Sequence, residues 1–394
     1  MKNSKKLVAL LLSLSMVFAL AACGGGSTAS PSPSASQPAP TESAPAETTP
    51  AAADFSVAMI TDYGDITDQS FNQTTYEACK AYCDANGVPF NYYKPAGDST
   101  AERVAMVDKA IADGFNVIVM PGYAFGETIT QVAEEYADVT FIALDVGEGD
   151  LGDYTLPSNV YCAVYQEELC GYMAGYAAVK LGYTHLGFLG GMAVPAVVRY
   201  GYGFVQGADA AAVEAGADVT VEYVYGNQFF GDADITAYMD NWYQTLGVQA
   251  VFACGGGIYA SAAEAAAKVD GAKVIGVDVD QAGIIDGAYG AGMTVTSAMK
   301  GLAPTVQHML GEVAAGNFAN YGGKIETLGL VSGDDPTANY VQIPMETTQW
   351  GDGFTQDDYK TLVKAMFDGT VTVSNDITAM PAVTITVNEY GNIK

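Results

Sequence analysis

Residues Val57–Gln73 read VAMITDYGDITDQSFNQ: an apolar run, then a turn with three acids, then Ser70-Phe71-Asn72. In open α/β sheets, ligands bind in the crevice at the carboxyl ends of the strands, where the turns after the strands lie. An acid-rich turn between a buried strand and a helix therefore predicts the beginning of a ligand site. We expect Ser70-Phe71-Asn72 to be exposed in it.

The same arrangement occurs at three later strand ends. VTFIAL ends at Asp145, AVFAC opens into Gly255-Gly256-Gly257, and KVIGV ends at Asp278. A single acid in such a turn is explained as well by a capping role at the next helix. Four strand ends of this kind in series favour one shared cleft.

Short apolar runs alternate with helix-length segments in two similar series, which indicates α/β lobes with parallel sheets. The first series has strands near 55–61, 88–93, 115–120 and 139–144 and helices near 69–86, 99–113 and 124–136. The second has strands near 184–189, 218–224, 249–252 and 273–277 and helices near 166–181, 196–214, 233–246 and 257–268. The folded part is also too long for one compact core, so we expect two Rossmann-like lobes.

The pattern changes after Ile285, where TVTSAMK is followed by a helical segment near 302–315 and by scattered strands. Late segments that belong to neither series are expected to complete the earlier sheets and to cross between the lobes. We place these crossings near residues 160, 285 and 325. Lobe 1 is then 54–160 plus about 285–325, and lobe 2 is 161–284 plus about 326–394.

The first 22 residues have the pattern of an export signal, with three lysines, an apolar run over 7–20 and Leu-Ala-Ala before Cys23. The apolar run is shorter than the roughly 20 residues of a membrane span. Cys23 in this context resembles a lipobox, in which the cysteine is acylated; the alternative is an ordinary secretory signal with a chance cysteine. Residues 23–53, mostly Gly, Ser, Thr, Ala, Pro and Glu, predict a disordered, lipid-anchored tether.

The chain has a formal net charge of −29, and removing the signal lysines makes it more negative. A field of this sign repels nucleic acid and anionic lipid, and the chain has no Lys/Arg cluster to oppose it. Nucleic-acid binding is therefore excluded.

Cysteine and histidine usage indicates neither a disulfide framework nor a metal centre. Apart from Cys23, the cysteines are Cys79, Cys83, Cys162, Cys170 and Cys254. Cys79 and Cys83 are one helical turn apart, and the remaining count is odd, so we expect buried free thiols. His185 and His308 have no metal-ligand spacing to any cysteine or acid. We expect no metal, no cofactor and no catalytic residue.

Several segments together resemble the basic membrane protein (BMP) family, the lipid-anchored nucleoside-binding proteins of ABC transporters. The first lobe resembles the family signature T-D-x-G-x-x-x-D-x-S-F-N-Q at Asp62-Tyr63-Gly64 through Gln73. In the second lobe the similar segments are GYMAGY (171–176), LGFLGGM (186–192), Pro195, Arg199, Gly203-Phe204, VIGVDVDQ (274–281) and TSAMK (296–300). The resemblance covers about residues 55–310 and implies a type I periplasmic-binding-protein fold whose lobes close on a ligand.

The resemblance also implies a set of site residues. The predicted ligand-binding residues are Asp62, Phe71, Asn72, Asp145, Phe229, Phe230, Gly255, Gly256, Asp278 and Lys300. Phe71 would stack on one face of a purine, with either Phe229 or Phe230 on the other. Asp145 would accept from the base edge, Asp278 from ribose hydroxyls, and Lys300 would donate to the sugar, while Asp62 and Gly255 or Gly256 line the remaining wall.

The function predicted from this set is delivery of purine nucleosides to an ABC permease by a monomeric, lipid-anchored binding protein on the extracytoplasmic face of the cell membrane. Carboxylates accept from hydroxyl and N–H groups but repel phosphate, and Lys300 is the one strong cation placed in the cleft, so we expect nucleosides rather than nucleotides. Glu167-Glu168 and Asp232 with Asp234 are interpreted as helix starts.

Two other functions remain open. A calcium-dependent nucleoside hydrolase also begins with an acid-rich turn after its first strand, but the spacing of acids at 62, 65 and 68 differs from its D-x-D-x-x-x-D-D pattern. A sugar- or small-signal-binding protein of the same fold would use similar aromatic and acidic side chains.

Overall fold

The computed structural model describes residues 55–394, which form two α/β lobes, each built around one sheet. The strands are β1 (Val57–Ile60), β2 (Phe90–Tyr93), β3 (Val117–Pro121), β4 (Thr140–Leu144), β5 (Val160–Tyr165), β6 (His185–Gly190), β7 (Thr220–Tyr225), β8 (Ala250–Cys254), β9 (Lys273–Asp278), β10 (Thr294–Lys300), β11 (Lys324–Leu328), β12 (Val341–Gln342) and β13 (Thr386–Asn392).

Helices cover both sheets. They are α1 (Phe71–Asn86), α2 (Thr100–Ala112), α3 (Gly126–Val132), α4 (Glu148–Leu151), α5 (Glu167–Lys180), α6 (Pro195–Ala215), α7 (Ala233–Asn241), α8 (Tyr259–Ala266), α9 (Ala282–Tyr289), α10 (Leu302–Ala314) and α11 (Gln356–Phe367). The helix predicted near 233–246 stays α-helical only to Asn241 and ends in a π-helical turn, Trp242–Leu246.

The two sheets have matching strand orders. Lobe 1 has the order β11-β5-β4-β3-β1-β2, and lobe 2 has β12-β10-β9-β8-β6-β7-β13. All pairings between these strands are parallel except that of β10 with β12. β3 and β8 are buried along their whole length, as expected for parallel strands covered on both faces. The predicted α/β fold with two parallel-sheet lobes is confirmed.

The crossings between the lobes differ from the predicted positions. β5, which the hydrophobic pattern did not reveal, keeps the chain in lobe 1 as far as Tyr165. The predicted lobe 1 segment near 285–325 is wrong over its first part, because β10 pairs with β9 and therefore belongs to lobe 2 until Lys300. The third crossing follows β11, which pairs with β5. The predicted boundaries were early because a strand within a crossing segment resembles a loop until its pairing partner is known.

Lobe 2 contains a closely packed helix pair, α5 and α6. A Cβ atom at Gly171 would lie 2.2 Å from the Tyr200 carbonyl oxygen, and one at Gly207 would lie 2.0 Å from that of Tyr172. The absence of side chains at these positions lets the two backbones approach each other. This contact positions the amino-terminal turns of both helices, which lead into the cleft.

The last 60 residues complete lobe 2. The Tyr359 hydroxyl of α11 accepts a hydrogen bond from the Ile343 N–H at 2.9 Å. β13 adds a parallel edge strand beside β7, and Glu222 accepts hydrogen bonds there from the side chains of Asn388 and Tyr390. The carboxyl-terminal segment is therefore a part of the lobe rather than an appendage.

The remaining predictions concern the cysteines and the amino-terminal segment. Cys79, Cys83, Cys162, Cys170 and Cys254 are buried free thiols, as predicted. No helix within residues 55–394 has the length and apolar character of a membrane span. The predicted signal peptide at 1–22, Cys23 and the tether at 23–53 lie outside the described residues.

Candidate ligand-binding site

A cavity of about 740 Å³ lies between the carboxyl ends of the two sheets. All ten predicted site residues line it: Asp62, Phe71, Asn72, Asp145, Phe229, Phe230, Gly255, Gly256, Asp278 and Lys300. They come from seven separate segments and meet because both sheets present the same end to the cleft. Their roles toward a ligand stay predictions.

The turn before α1 is more enclosed than predicted. Ser70 and Asn72 are buried, so the expectation that they are exposed is wrong. Asp68 caps the helix, since its carboxylate accepts from the backbone N–H groups of Ser70, Asn72 and Gln73 at 2.9 to 3.0 Å. The capping interpretation of an acid in this turn is thus correct for Asp68.

Asp62 and Asn72 form a buried polar pair beside this turn. Asp62 Oδ1 accepts from the Tyr63 N–H at 2.6 Å, from the Gly64 N–H at 2.7 Å and from Asn72 Nδ2 at 3.2 Å. Burial raises the pKa of Asp62 despite these hydrogen bonds. Asn72 Oδ1 is buried and has no hydrogen-bond partner. Asn72 is one of the residues that line the cavity, and a buried acceptor without a partner suits a donor group on a ligand.

Asp145 and Asp278 occupy corresponding places in the two lobes. Asp145 directly follows β4 and Asp278 ends β9, and these strands have the same position in the two sheet orders. Both residues have left-handed backbones, with φ of 58° and 65°. Such a conformation costs a non-glycine residue free energy and is concentrated at functional sites. Here it turns a carboxylate from each lobe toward the same cleft.

Lys300 joins these carboxylates. Its Nζ lies 2.5 Å from Asp145 Oδ2, 3.5 Å from Glu167 Oε1 and 3.5 Å from Asp278 Oδ1. Burial alone would lower the pKa of Lys300, but the three carboxylates raise it above its usual value. The ammonium also lies 4.6 Å from the centre of the Phe71 ring. Lys300 is therefore a buried, charged centre that contacts both lobes.

A second cation lines the cavity, which corrects the expectation of Lys300 alone. Arg199 donates from Nε to Glu167 Oε2 at 2.6 Å. Glu167 begins α5, as predicted, but it is fully buried between Arg199 and Lys300 rather than only a helix start. The cluster thus has three carboxylates and two cations, so both cations are already engaged by acids.

Asp145 retains a free acceptor within this cluster. Burial raises the pKa of Asp145 to about 6, and the ammonium group of Lys300 opposes this rise. Its Oδ1 is buried without a hydrogen-bond partner. The resemblance assigned Asp145 to the base and Asp278 to the sugar, but the structure brings both to one lysine.

The two candidate aromatic partners differ in their surroundings. The Phe229 ring lies against the backbone of Gly191 and Gly255, where an added Cβ would be 2.3 Å and 2.7 Å from a ring carbon. The Phe230 side chain is 58% exposed. Both line the cavity, but only Phe229 is held by the walls around it. Gly255 therefore makes room for a ring.

The lobes contact each other directly beside the cavity. The Ser70 hydroxyl donates to Asp278 Oδ2 at 2.6 Å, and Gln281 Nε2 donates to the Gln69 carbonyl at 3.0 Å. Together with the Lys300–Asp145 pair, these bonds hold lobe 1 against lobe 2. The arrangement is that of two lobes closed around a cleft.

The sequence did not predict that two residues of this cluster, Glu167 and Arg199, lie in the cleft. Glu167 follows β5, the unrecognised strand, so its position at a strand end was invisible. Arg199 belongs to a quoted family-like segment, but nothing local indicated that its side chain enters the cleft. Asp232 was correctly interpreted, because its side chain caps α7. Among residues 55–394, no cluster of His, Cys, Asp or Glu is suited to hold a metal ion.

Two lobes with parallel sheets, a hinge of three crossings and a polar, ring-lined cleft define a solute-binding protein of the type I periplasmic fold. Similar solved structures include an ABC transporter solute-binding protein of Aeropyrum pernix K1, with TM-score 0.61, 21% identity, and coverage of 82% of this chain and 88% of that one. Another, from Conexibacter woesei DSM 14684, has TM-score 0.61, 23% identity, and coverage of 82% and 99%. At these identities the likeness shows the fold alone.

The chain belongs to the Bmp family, the PnrA-like substrate-binding proteins of ABC transporters, whose family model matches residues 55–334. It is 26% identical to basic membrane protein B of Borreliella burgdorferi over 292 residues, which cover 70% of this chain and 79% of that protein. It is 25% identical to the ABC transporter nucleoside-binding protein BmpA of Lactococcus lactis over 298 residues, 71% of this chain and 80% of that protein. The family is thus one of ABC transporter substrate-binding proteins. An uncharacterized lipoprotein of Pyrococcus horikoshii is 26% identical over 45% of this chain and 44% of that protein.

Proposed function

We propose that this substrate-binding protein takes up purine nucleosides and delivers them to an ABC permease. One observation carries the proposal: a single cavity is lined by rings from both lobes, Phe71 and Phe229, and by Asn72 and Asp145, each of which has one buried acceptor atom without a partner. A flat base gains about 1–3 kcal/mol from each stacking ring, and its N–H groups need buried acceptors.

The charged cluster supports a neutral ligand with hydroxyl groups. Asp278 and Lys300 together offer an acceptor and a donor at one place, which suits a sugar diol. A phosphate would meet Asp145, Glu167 and Asp278, while Lys300 and Arg199 already contact carboxylates. Nucleoside monophosphates are therefore expected to bind more weakly than their nucleosides.

Binding is coupled to closure in this proposal. A ligand that touches Phe71 in lobe 1 and Phe229 in lobe 2 stabilises only the closed arrangement and shifts the population toward it. A permease can then recognise the closed pair of lobes. We further propose that Cys23 carries the lipid anchor, which a Cys23→Ser variant released from the membrane fraction would support.

Isothermal titration calorimetry with the mature protein tests the ligand class. Adenosine, guanosine and inosine are compared with cytidine, adenine, AMP, ribose and glucose. Tight binding of a purine nucleoside is the expected result. Tighter binding of glucose or ribose would instead support the sugar-binding alternative, and tighter binding of AMP than of adenosine would contradict a site for neutral nucleosides.

Matched ring variants test the site. Phe71→Ala and Phe229→Ala should each weaken nucleoside binding at least tenfold, because each removes one stacking face. Phe230→Ala is the control and should change affinity little, since its ring is mostly exposed. Asp278→Ala should also weaken binding at least tenfold, but it will lower stability as well because Asp278 accepts from Ser70 and contacts Lys300. The opposite ranking of Phe229 and Phe230 would assign the stacking role to Phe230.

A further inference from the structure

The cavity is larger than a nucleoside requires. A nucleoside of about 20 non-hydrogen atoms occupies on the order of 250 Å³ at the packing density of organic solids, whereas the cavity measures about 740 Å³. The cavity is partly open to solvent, so this surplus includes its mouth, but the lining also includes segments that the predicted nucleoside contacts do not use.

The remaining walls carry acids and tyrosines as well as five aliphatic side chains, and we call the aliphatic part of the wall the apolar compartment. Its members are Val164, Val194, Val197, Ile325 and Ile377. Val164 lies opposite Thr327 in the β5–β11 pairing, so Val164 and Ile325 share one face of the sheet. Val194 and Val197 come from the start of α6 in lobe 2. Except for the buried Val197, these side chains are only partly covered.

The carboxyl-terminal segment supplies the last wall. Ile377 lies outside the family match, which ends at residue 334. Its segment is fixed to α6, since Gln206 Nε2 donates to the Ser374 carbonyl and Gln206 Oε1 accepts from the Ser374 N–H, both at 2.9 Å. The wall is therefore a built feature of this chain.

The apolar compartment adjoins the charged end of the site. Arg199, one turn into α6 beyond Pro195, bonds to Glu167, and Glu167 lies 3.5 Å from Lys300. In the proposed nucleoside complex, this end holds the sugar. Because Asp278 and Lys300 engage the vicinal hydroxyls of the ribose, C5′ is the sugar position left to carry a further group.

We propose that the apolar compartment receives an uncharged, apolar substituent on C5′ of a nucleoside, so that 5′-substituted purine nucleosides are bound in preference to the parent compounds. This inference rests on the proposed function. Aliphatic walls favour apolar groups. Asp150 and Glu148, which also line this end of the cavity, disfavour an anionic one.

Calorimetry with adenosine and 5′-deoxy-5′-methylthioadenosine tests the proposal. The methylthio compound should bind about tenfold more tightly, because its sulfur and methyl group leave water for an apolar site. N6-methyladenosine carries an apolar group at the base end and should gain no such advantage. A methylthio compound that binds no tighter than adenosine, or a gain for N6-methyladenosine alone, would overturn the proposal.

Filling the compartment provides the second measurement. Ile377→Trp and, independently, Val194→Trp should reduce the ratio of the two affinities from about ten to about one. Val213→Trp, at a 63% exposed position on the same helix as Val197, is the matched control and should keep the ratio. An unchanged ratio in both filling variants contradicts the assignment. Adenosine binding without the methylthio preference overturns only this inference, whereas failure to bind any nucleoside overturns the proposed function and the inference with it.

Discussion

The two lobes share a backbone plan but differ in the charges placed on it. β5 in lobe 1 ends at Tyr165 and leads through Gln166 into Glu167-Glu168, whereas β10 in lobe 2 ends at Lys300 and leads through Gly301 into Leu302. Corresponding crossings thus carry a tyrosine followed by two acids in one case and a lysine followed by apolar residues in the other. Lys300 lies near Glu167, so the charges of the two crossings complement each other, and the contact of Lys300 with Asp145 joins lobe 2 to lobe 1. The two lobes therefore share a fold, and the residues that differ between them form the charged cluster of the site.

The largest expected effect comes from removing the lysine. Lys300→Met leaves Asp145, Glu167 and Asp278 near one another without their shared cation, and breaking such a buried pair costs about 3–5 kcal/mol. Urea denaturation at pH 7 should show this loss in the free energy of unfolding. Tyr165 is the residue of lobe 1 that corresponds to Lys300. Tyr165→Phe removes only a hydroxyl that donates to Thr305 Oγ1 at 2.9 Å, so it should lower the free energy of unfolding by about 1 kcal/mol.

Lys80→Met is the control for removing a lysine as such, because Lys80 pairs with Asp84 on an exposed helix face. It should change stability little. If Lys300→Met is no more damaging than Tyr165→Phe, the charge difference between the crossings does not stabilise the closed lobes.

Glu168, the second acid in the crossing that follows β5, is expected to make the stability of the protein depend on pH. Burial raises the pKa of Glu168 to about 7, and Glu168 Oε2 has no hydrogen-bond partner. The folded state therefore holds a proton that the unfolded state has released above about pH 4.5. Stability falls as pH rises from about 5 to 8, by about 2–3 kcal/mol for this group.

Glu168→Gln should abolish that part of the decline and make the protein more stable than the unaltered chain at pH 8. Thermal unfolding in buffers from pH 5 to 8 measures it. Parallel pH profiles for the two proteins would show that Glu168 is ionised in the folded state, as an ordinary helix-start acid would be.

Gly122 after β3 and Gly255 after β8 occupy corresponding positions, so alanine variants at the two sites compare the lobes directly. Gly122 and Gly255 both have positive φ, 125° and 141°, so alanine at either should cost about 1–2 kcal/mol. Their neighbours differ: a Cβ at Gly255 meets the Phe229 ring at 2.7 Å, whereas one at Gly122 meets Asp62 Oδ2 at 3.2 Å. Gly255→Ala should therefore be the more damaging to nucleoside affinity. Equal affinity losses in calorimetry would contradict the assignment of Phe229 as a wall of the site.

The smallest effect concerns the contact between the lobes. Ser70→Ala removes the hydrogen bond to Asp278 and should weaken ligand binding about fivefold, because a bond worth about 1 kcal/mol no longer favours closure. Ser56→Ala is the matched control, since its hydroxyl donates to the Gly114 carbonyl within lobe 1. A loss of affinity in both variants would mean that the effect is not specific to closure.

The alternation of apolar runs and helical segments was sufficient to predict two parallel-sheet lobes, since buried parallel strands leave continuous apolar runs in a sequence. The strand-end residues Asp145, Gly255 and Asp278 were identified by the same local logic, and they line one cavity. These features can be predicted from the sequence because they depend on residues that are close together in the chain.

The pairing of β10 with β9, the burial of Glu167 between two cations and the entry of Ile377 into the cavity depend on residues far apart in sequence. A side chain's charge partner and the space around it are properties of the packed chain, because contact energies act between neighbours in space. The order of the residues therefore dictated the frame and the kinds of groups at its edge, and packing alone established which groups meet, which acceptors stay free and how much room a ligand finds.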